Sequence, residues 1–302
     1  VAEPLRAMGA ELEATDGRLP PFTIHGTRLQ SIHYDLPVAS AQVKSCVLLA
    51  GLYADGVSSV VEPLRTRDHS EIALREFGAE VRVEGLKVSV KGRPQLTGKE
   101  LTVPGDLSSA AFFLVAALLR NDSDLVIQGV GLNPTRAALL DFLATLGARV
   151  QVINVSSDGG ELIGDLRVTS APLQGGLLEG AMTAALIDEI PVLAVLGAAR
   201  GGLEVRDAKE LRVKETDRIQ TIVENFRRLG VQIDERPDGF TVPGGQAFQP
   251  SGPLDSFGDH RIAMAFAVAA LAAKDSLAID GADAASVSFP EFWGLMASVT
   301  ES

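Results

Sequence analysis

The chain has 302 residues, 46% hydrophobic and 22% charged, enough for one large domain or two medium ones with full apolar cores. Its net charge of -12 argues against nonspecific binding to nucleic acid or an anionic membrane, so cations for an anionic ligand must be gathered locally. Aromatic residues make up only 5%, which leaves the cores to Ala, Val, Leu and Ile, and the single Cys46 excludes an internal disulfide and suits a reducing cytoplasm. No stretch of about 18 apolar residues is free of charge or breaker, which predicts no membrane span, and nothing at the front reads as a secretory signal.

In chain order, Glu3–Gly9 reads as the last turns of a helix, with its buried partner expected before Val1. Ser40–Leu52 predicts a helix that is almost wholly apolar after a polar opening, followed by a strand over Val57–Val61. Cys46 sits inside this helix as a small hydrophobe rather than a nucleophile. Leu74–Ala79 ends an outer helix at Gly78 and leads into a strand over Glu80–Glu84. The run Leu101–Asp106, with Pro104-Gly105, interrupts the periodic pattern and predicts a crossing between domains, 1–104 and 105–302.

Beyond that point the same order returns. Apolar helices over Ser108–Leu119, Asp188–Ala199 and Asp259–Ala272 are each followed by a short strand, at Asp124–Gln128, Leu203–Arg206 and Ser276–Asp280. Outer helices end at Gly147 and Gly230, before strands over Arg149–Ile153 and Gln232–Glu235. Gly9, Gly78, Gly147 and Gly230 thus mark a repeat of roughly 70 to 80 residues. The unit is a helix buried on every side, a strand, an outer helix and a strand with a hairpin partner. It is not the doubly wound pattern, because no Gly-rich phosphate loop joins a strand to a helix.

The chemistry is expected at the N-termini of the buried helices. Ser40, Ser108, Ser109 and Asp259 suit capping, but capping does not explain His260 and Arg261. A helix N-terminus already attracts anions, so an added Arg is unfavourable unless an anion is held nearby. Asp188-Glu189 opens a helix too apolar downstream to be casually solvated, and serves either as a cap or as a general base. Val213–Ile219 predicts the start of an outer helix on which Lys214 and Arg218, four apart, share a face. Such a pair clamps a phosphate or carboxylate; the plain alternative is a Glu215–Arg218 pair on a solvated face. Arg65–His69 opens another outer helix and invites the same argument more weakly. His25 and His33 fall in strand-like alternation and read as structural or exposed. No Cys, His and carboxylate cluster has metal-ligand spacing, and no Ser-centred nucleophile elbow is present.

Taken together, Pro37–Gln42, Val103–Ala110, Gly131–Arg136, Leu186–Pro191, Lys214–Arg218 and Gly258–Arg261 resemble, in order and across the whole chain, the 3-phosphoshikimate 1-carboxyvinyltransferase (5-enolpyruvylshikimate-3-phosphate synthase) family. The resemblance implies an inside-out α/β barrel of repeated βαβαββ units with buried helices, in two domains of which the first is incomplete. It implies transfer of the enolpyruvyl group from phosphoenolpyruvate to the 5-hydroxyl of shikimate 3-phosphate, in aromatic amino-acid biosynthesis, with no metal or organic cofactor. By matched position, Ser40, Gln42, Thr66, Asp188 and Lys214 resemble shikimate 3-phosphate contacts, and Gln42, Arg218 and Arg261 resemble phosphoenolpyruvate contacts. Asp188 and Glu215 match the catalytic proton carriers, with His260 supporting. The family's inhibitor is glyphosate.

The chain departs from the family pattern in lacking its N-terminal substrate loops, in Asp283 where many members have Lys, and in Glu210 where some have Asn. The expectation is therefore little or no activity from this chain alone, a dimer or a complementing N-terminal fragment as partner, and a cytoplasmic location. The sister transferase acting on UDP-N-acetylglucosamine is the nearest alternative; a non-catalytic half of a split enzyme is another.

Overall fold

In the computed structural model, which describes residues 1–17 and 19–300, the chain forms two compact units. The first comprises Val1–Val103 with Ser157–Leu162, and the second Pro104–Ser156 with Ile163–Ser302.

The first unit begins with α1 (Ala2–Ala7) and an antiparallel pair, β1 (Glu11–Thr15) and β2 (Leu19–His25). There follow β3 (His33–Asp35), α2 (Ala41–Gly51), β4 (Val57–Val61), α3 (His69–Glu76), β5 (Val81–Glu84) and β6 (Lys87–Lys91). The strands form one sheet in the order β3-β4-β6-β5, parallel between β3 and β4 and antiparallel elsewhere. Ser40 starts α2 by accepting a hydrogen bond from the Val43 N–H at 3.3 Å. Gly78, at φ +96°, ends the run after α3 in the left-handed conformation, and the Ala79 N–H reaches back to the Leu74 carbonyl at 2.8 Å. Val47 and Leu48 of α2 pack into two small cores, one with Leu36 and Val60 and one with Leu74, Val81, Val88 and Val90.

The second unit holds α4 (Leu107–Leu119), β7 (Asp124–Gly131), α5 (Ala138–Thr145), β8 (Arg149–Asp158) and β9 (Glu161–Thr169), the last two reaching into the segment that groups with the first unit. It continues with β10 (Gly176–Leu178), α6 (Gly180–Ala185), α7 (Ile190–Ala199), β11 (Leu203–Val205), a 3-10 turn over Lys209–Val213 and α8 (Arg218–Arg228). Then come β12 (Asp234–Arg236), β13 (Gly239–Val242), β14 (Leu254–Asp255), α9 (His260–Ala269), β15 (Ile279–Asp280) and α10 (Phe292–Thr300). The sheets are β7-β9-β8, β10-β11-β13-β12 and the pair β14-β15. Helices α4, α7 and α9 pack on one another in a single core, where Phe112 meets Phe292 edge-on at 5.8 Å. Gly197 has no side chain because an added Cβ would stand 2.5 Å from that of Leu203, so its absence lets β11 lie close on α7.

Three expectations change. Helix α2 is not buried on every side: Leu49 is 50% exposed, and Tyr53, just past its end, 67%. The outer helix after the 3-10 turn begins at Arg218, not at Lys214, because Asp217 caps it by accepting from the Gln220 N–H at 3.0 Å. Lys214 is extended and shares no helix face with Arg218. Strands β7 and β8 run past their expected ends, β7 to Gly131 through an irregularity after Ile127 in its pairing with β9, and β8 to Asp158 where the chain turns back into β9. Among the described residues, no helix is long and apolar enough to cross a membrane.

Candidate active site

Asp188 and Glu189 immediately precede α7, Asp259 and His260 stand at the start of α9, and Lys214–Arg218 links the 3-10 turn to α8. The fold brings these segments together around Asp188. Lys214 Nζ lies 3.8 Å and Arg218 NH1 3.3 Å from the same oxygen, Asp188 Oδ1. Arg261 NH1 donates to the Asp188 carbonyl at 3.1 Å. The predicted pair of cations therefore converges on one group even though it does not lie on one helix.

Arg218 is the best-held member, with only 1% of its side chain exposed. Its Nε donates to Asp259 Oδ2 at 2.8 Å and its NH2 to Asp259 Oδ1 at 3.3 Å, a two-pronged grip that suits the planar guanidinium. NH2 also donates to Glu215 Oε2 at 2.6 Å. The Glu215–Arg218 pair and the cation cluster thus coexist, where spacing alone made them alternatives. Asp259 caps α9 by accepting from the Arg261 N–H at 2.8 Å, so one carboxylate organises both arginines.

Burial alone would push the Asp188 carboxyl up, but the charges of Arg261, Lys214, Arg218 and Arg136 outweigh it and hold it below the ordinary carboxylate range. Asp259 follows the same pattern: burial raises it, and the hydrogen bond and charge of Arg218 bring it down. Glu189 goes the other way. Its burial dominates the opposing hydrogen bond from Ser108 and the charges of Arg136 and Arg261, and its carboxyl is raised. Burial lowers His260, against the opposing pull of Asp259.

Ser108 does not cap α4, although its position suggested it; the N-cap residue is Asp106. Its hydroxyl donates to Glu189 Oε1 and accepts from Arg136 NH2 at 2.6 Å, while Arg136 NH2 also holds Asp106 Oδ1 at 3.0 Å. The starts of α4 and α7 are therefore joined through one hydroxyl. Glu210, exposed, pairs with Lys214 at 3.0 Å, and Asp283 lies exposed in the 3-10 turn Ala282–Val287.

In the first unit, Gln42 is exposed in the first turn of α2, beside the cap Ser40. Thr66 donates its N–H, at 3.2 Å, and its hydroxyl to Glu62 Oε1. Lys44, missed by the sequence reading, is 1% exposed and bridges Glu62 Oε2 at 3.2 Å and Glu71 Oε1 at 2.7 Å. Its only signal was a lone cation inside an otherwise apolar helix. Among the described residues, no group of three or more His, Cys, Asp and Glu side chains is arranged to hold a metal ion.

The sequence model of the family described as EPSP synthase (3-phosphoshikimate 1-carboxyvinyltransferase) matches residues 1–296. The 3-phosphoshikimate 1-carboxyvinyltransferase of Solibacter usitatus is 59% identical over 302 residues, all of this chain and 71% of the relative. That of Koribacter versatilis is 50% identical, again over the whole chain and 70% of the relative. Among solved structures, EPSP synthase from Acinetobacter baumannii superposes with a TM-score of 0.90 at 41% identity, covering 99% of this chain and 69% of that one. The enolpyruvyl transferase NikO from Streptomyces tendae, at 17% identity and a TM-score of 0.71 over 98% of this chain and 70% of its own, is alike in fold. The fold is the inside-out α/β architecture of enolpyruvyl transferases.

Proposed function

The chain belongs to the EPSP synthase (3-phosphoshikimate 1-carboxyvinyltransferase) family, and from that premise we propose that it transfers the enolpyruvyl group of phosphoenolpyruvate to the 5-hydroxyl of shikimate 3-phosphate, in aromatic amino-acid biosynthesis. The observation that carries the reading is the convergence of Lys214, Arg218 and Arg261 on Asp188 in a chain whose net charge is -12. Three cations gathered against that background suit two substrates that both carry phosphate.

The reaction assigns roles as follows. The 5-hydroxyl oxygen bonds to the enol carbon of phosphoenolpyruvate, Asp188 takes the hydroxyl proton, and Glu215 delivers a proton to the methylene carbon. Glu215 then takes a proton back from the new methyl group as the bond to the phosphate oxygen breaks, and the departing phosphate takes the proton from Asp188. A carboxylate held as low as Asp188 is a weak base. Substrate anions drawing Lys214, Arg218 and Arg261 onto themselves relieve that hold and raise its basicity when it is needed. Arg218 and Arg261 with Gln42 are the proposed phosphoenolpyruvate contacts; Ser40, Gln42, Thr66, Asp188 and Lys214 those of shikimate 3-phosphate, with His260 supporting. The same proposal takes 1–104 and 105–302 as domains and the cytoplasm as the location. Exposed Leu49, Tyr53 and Val57 support association of the first unit with a second copy or an N-terminal fragment, which light scattering tests.

Release of inorganic phosphate from phosphoenolpyruvate in the presence of shikimate 3-phosphate tests the activity, measured on the chain alone and with an N-terminal fragment of a relative added in trans. The variants are compared under whichever condition gives turnover. Asp188→Ala is expected to lower turnover by about 10²–10⁴-fold with the fold retained. Turnover unchanged in that variant removes Asp188 from the chemistry, and a wild-type chain that binds a UDP-sugar but not shikimate 3-phosphate overturns the reading.

A further inference from the structure

The hairpin of β8 and β9 belongs to two places at once. Its stem lies in the second unit, while its tip, within Ser157–Leu162, groups with the first. The chain thus passes between the units at Val103–Pro104, at Ser156–Ser157 and again at Leu162–Ile163. The tip is the two-residue turn Gly159-Gly160, with φ of +55° and +78°, set between Asp158 and Glu161. Two successive positive φ values in a tight hairpin suit glycine.

The turn accounts for the backbone of the two glycines but not for how closely they are packed. An added Cβ on Gly160 would stand 2.9 Å from Ile72 Cγ2 of α3, and one on Gly159 2.5 Å from Leu101 Cδ2. The flanking carboxylates hold the same two places. Glu161 Oε1 accepts from Nδ1 of His69, the first residue of α3, at 2.6 Å. Asp158 Oδ2 accepts from the Thr102 N–H at 2.9 Å, just ahead of the crossing at Val103. Every residue of the tip therefore grips the first unit, either on α3 or on Leu101-Thr102.

That unit has reason to need the grip. Its apolar side chains form two small cores, whereas the second unit has one core running through α4, α7 and α9. A small core leaves little margin over the entropy lost on folding. The buried ions Lys44, Glu62 and Glu71 add little to it, since such clusters seldom out-stabilise apolar side chains and Glu71 Oε2 has no hydrogen-bond partner.

We propose that the β8–β9 hairpin is a strap whose tip, Asp158–Glu161, clasps α3 and Leu101-Thr102 and makes the folding of the first unit depend on that of the second. The chain carries its own probes for this. Trp293, its single Trp, stacks edge-on against Phe292 in the second unit, ring centroids 5.2 Å apart. Cys46, its single Cys, is half-buried on α2 in the first unit, and burial pushes its thiol up, which slows its reaction in the folded chain.

Urea unfolding of the whole chain, followed by Trp293 fluorescence and by pulsed thiol labelling of Cys46, tests the strap. The two midpoints are expected to coincide in wild type. Gly160→Val drives a side chain into Ile72, and D158A/E161A removes both carboxylates but keeps the turn. Each is expected to lower the Cys46 midpoint by about 1 M and to leave that of Trp293 within about 0.3 M of wild type. Val155→Thr, at an exposed site on β8 short of the tip, is expected to leave the midpoints together. Midpoints already separate in wild type, midpoints that coincide in both tip variants, or an equal fall of both probes each overturn the inference. If Gly160→Val does not fold, D158A/E161A decides alone.

Discussion

Arg218 in the second unit and Lys44 in the first are both large charged side chains buried almost completely. Their surroundings differ. Arg218 meets Asp259, fully buried, but also Asp188 and Glu215, whose side chains remain 21% and 51% exposed. Among the described residues, the carboxylates that Lys44 meets are those of Glu62 and Glu71, 3% and 2% exposed. The first network runs from core to solvent, so some of its ion pairs can be exchanged for an arriving anion while Asp259 keeps the guanidinium in place. The second is closed and has no pair to exchange, and its influence passes only through the hydrogen bonds of Glu62. One geometry suits binding, the other shape.

The largest expected effect tests the burial that the two networks share. Arg218→Ala leaves Asp259 as an unpaired buried charge, and Lys44→Ala leaves two carboxylates without their cation; each is expected to cost about 3–5 kcal/mol in urea unfolding. Phosphoenolpyruvate sharpens the contrast. Its stabilisation against heat is expected to vanish in Arg218→Ala and to persist in Lys44→Ala wherever that variant stays folded. Loss of the phosphoenolpyruvate response in both variants breaks the distinction between an open and a closed network.

The same contrast marks what the sequence could reveal. The four apolar helices, their capping openings and the Gly-marked helix ends are local patterns, and α4, α7 and α9 lie where those patterns put them. The pattern of α2 is similar, yet Leu49 is exposed, because burial on every side needs neighbours that a helix cannot specify by itself. The convergence of Lys214 and Arg218 was legible although its reason was not. Spacing suggested one helix face, while the chain brings them together through an extended Lys214 and a helix capped at Asp217. The triad was hidden because Lys44, Glu62 and Glu71 lie on three elements and follow no periodicity. Ser108 looked like a cap because a hydroxyl at a helix start has that local use, whereas its partner Glu189 is 81 residues away.

Next in size is Glu189, whose response to pH opposes that of its neighbours. Asp188 and Asp259 have lowered folded-state values, so they contribute stability above the unfolded Asp value of about 3.9, lost as pH falls through the folded one. Glu189 is raised, so its contribution is complete below the unfolded Glu value of about 4.3 and is lost as pH rises through the folded one. Glu189→Gln keeps an acceptor for the Ser108 hydroxyl and cannot ionise. Its melting temperature, relative to wild type, is expected to rise in scanning calorimetry as pH increases from the unfolded Glu value of about 4.3 and to level off above the folded one. A constant difference across that range indicates that Glu189 shares the lowered behaviour of Asp188.

The smallest effect concerns the cap that separates Lys214 from Arg218. Asp217 accepts from the Gln220 N–H at 3.0 Å and pairs with Arg212 NH1 at 2.9 Å, so it both starts α8 and ties that start to the 3-10 turn. Asp217→Ala removes both interactions and is expected to cost about 1–2 kcal/mol. Asp217→Asn keeps the capping oxygen and loses the charge, and is expected to cost only about 0.5 kcal/mol, since a partly exposed ion pair contributes little. If capping is what holds the cation cluster in register, Asp217→Ala also weakens phosphoenolpyruvate binding while Asp217→Asn does not. Equal stability loss in the two variants assigns the work to the Arg212 pair instead, and Lys214 and Arg218 then owe their convergence to the 3-10 turn rather than to the start of the helix.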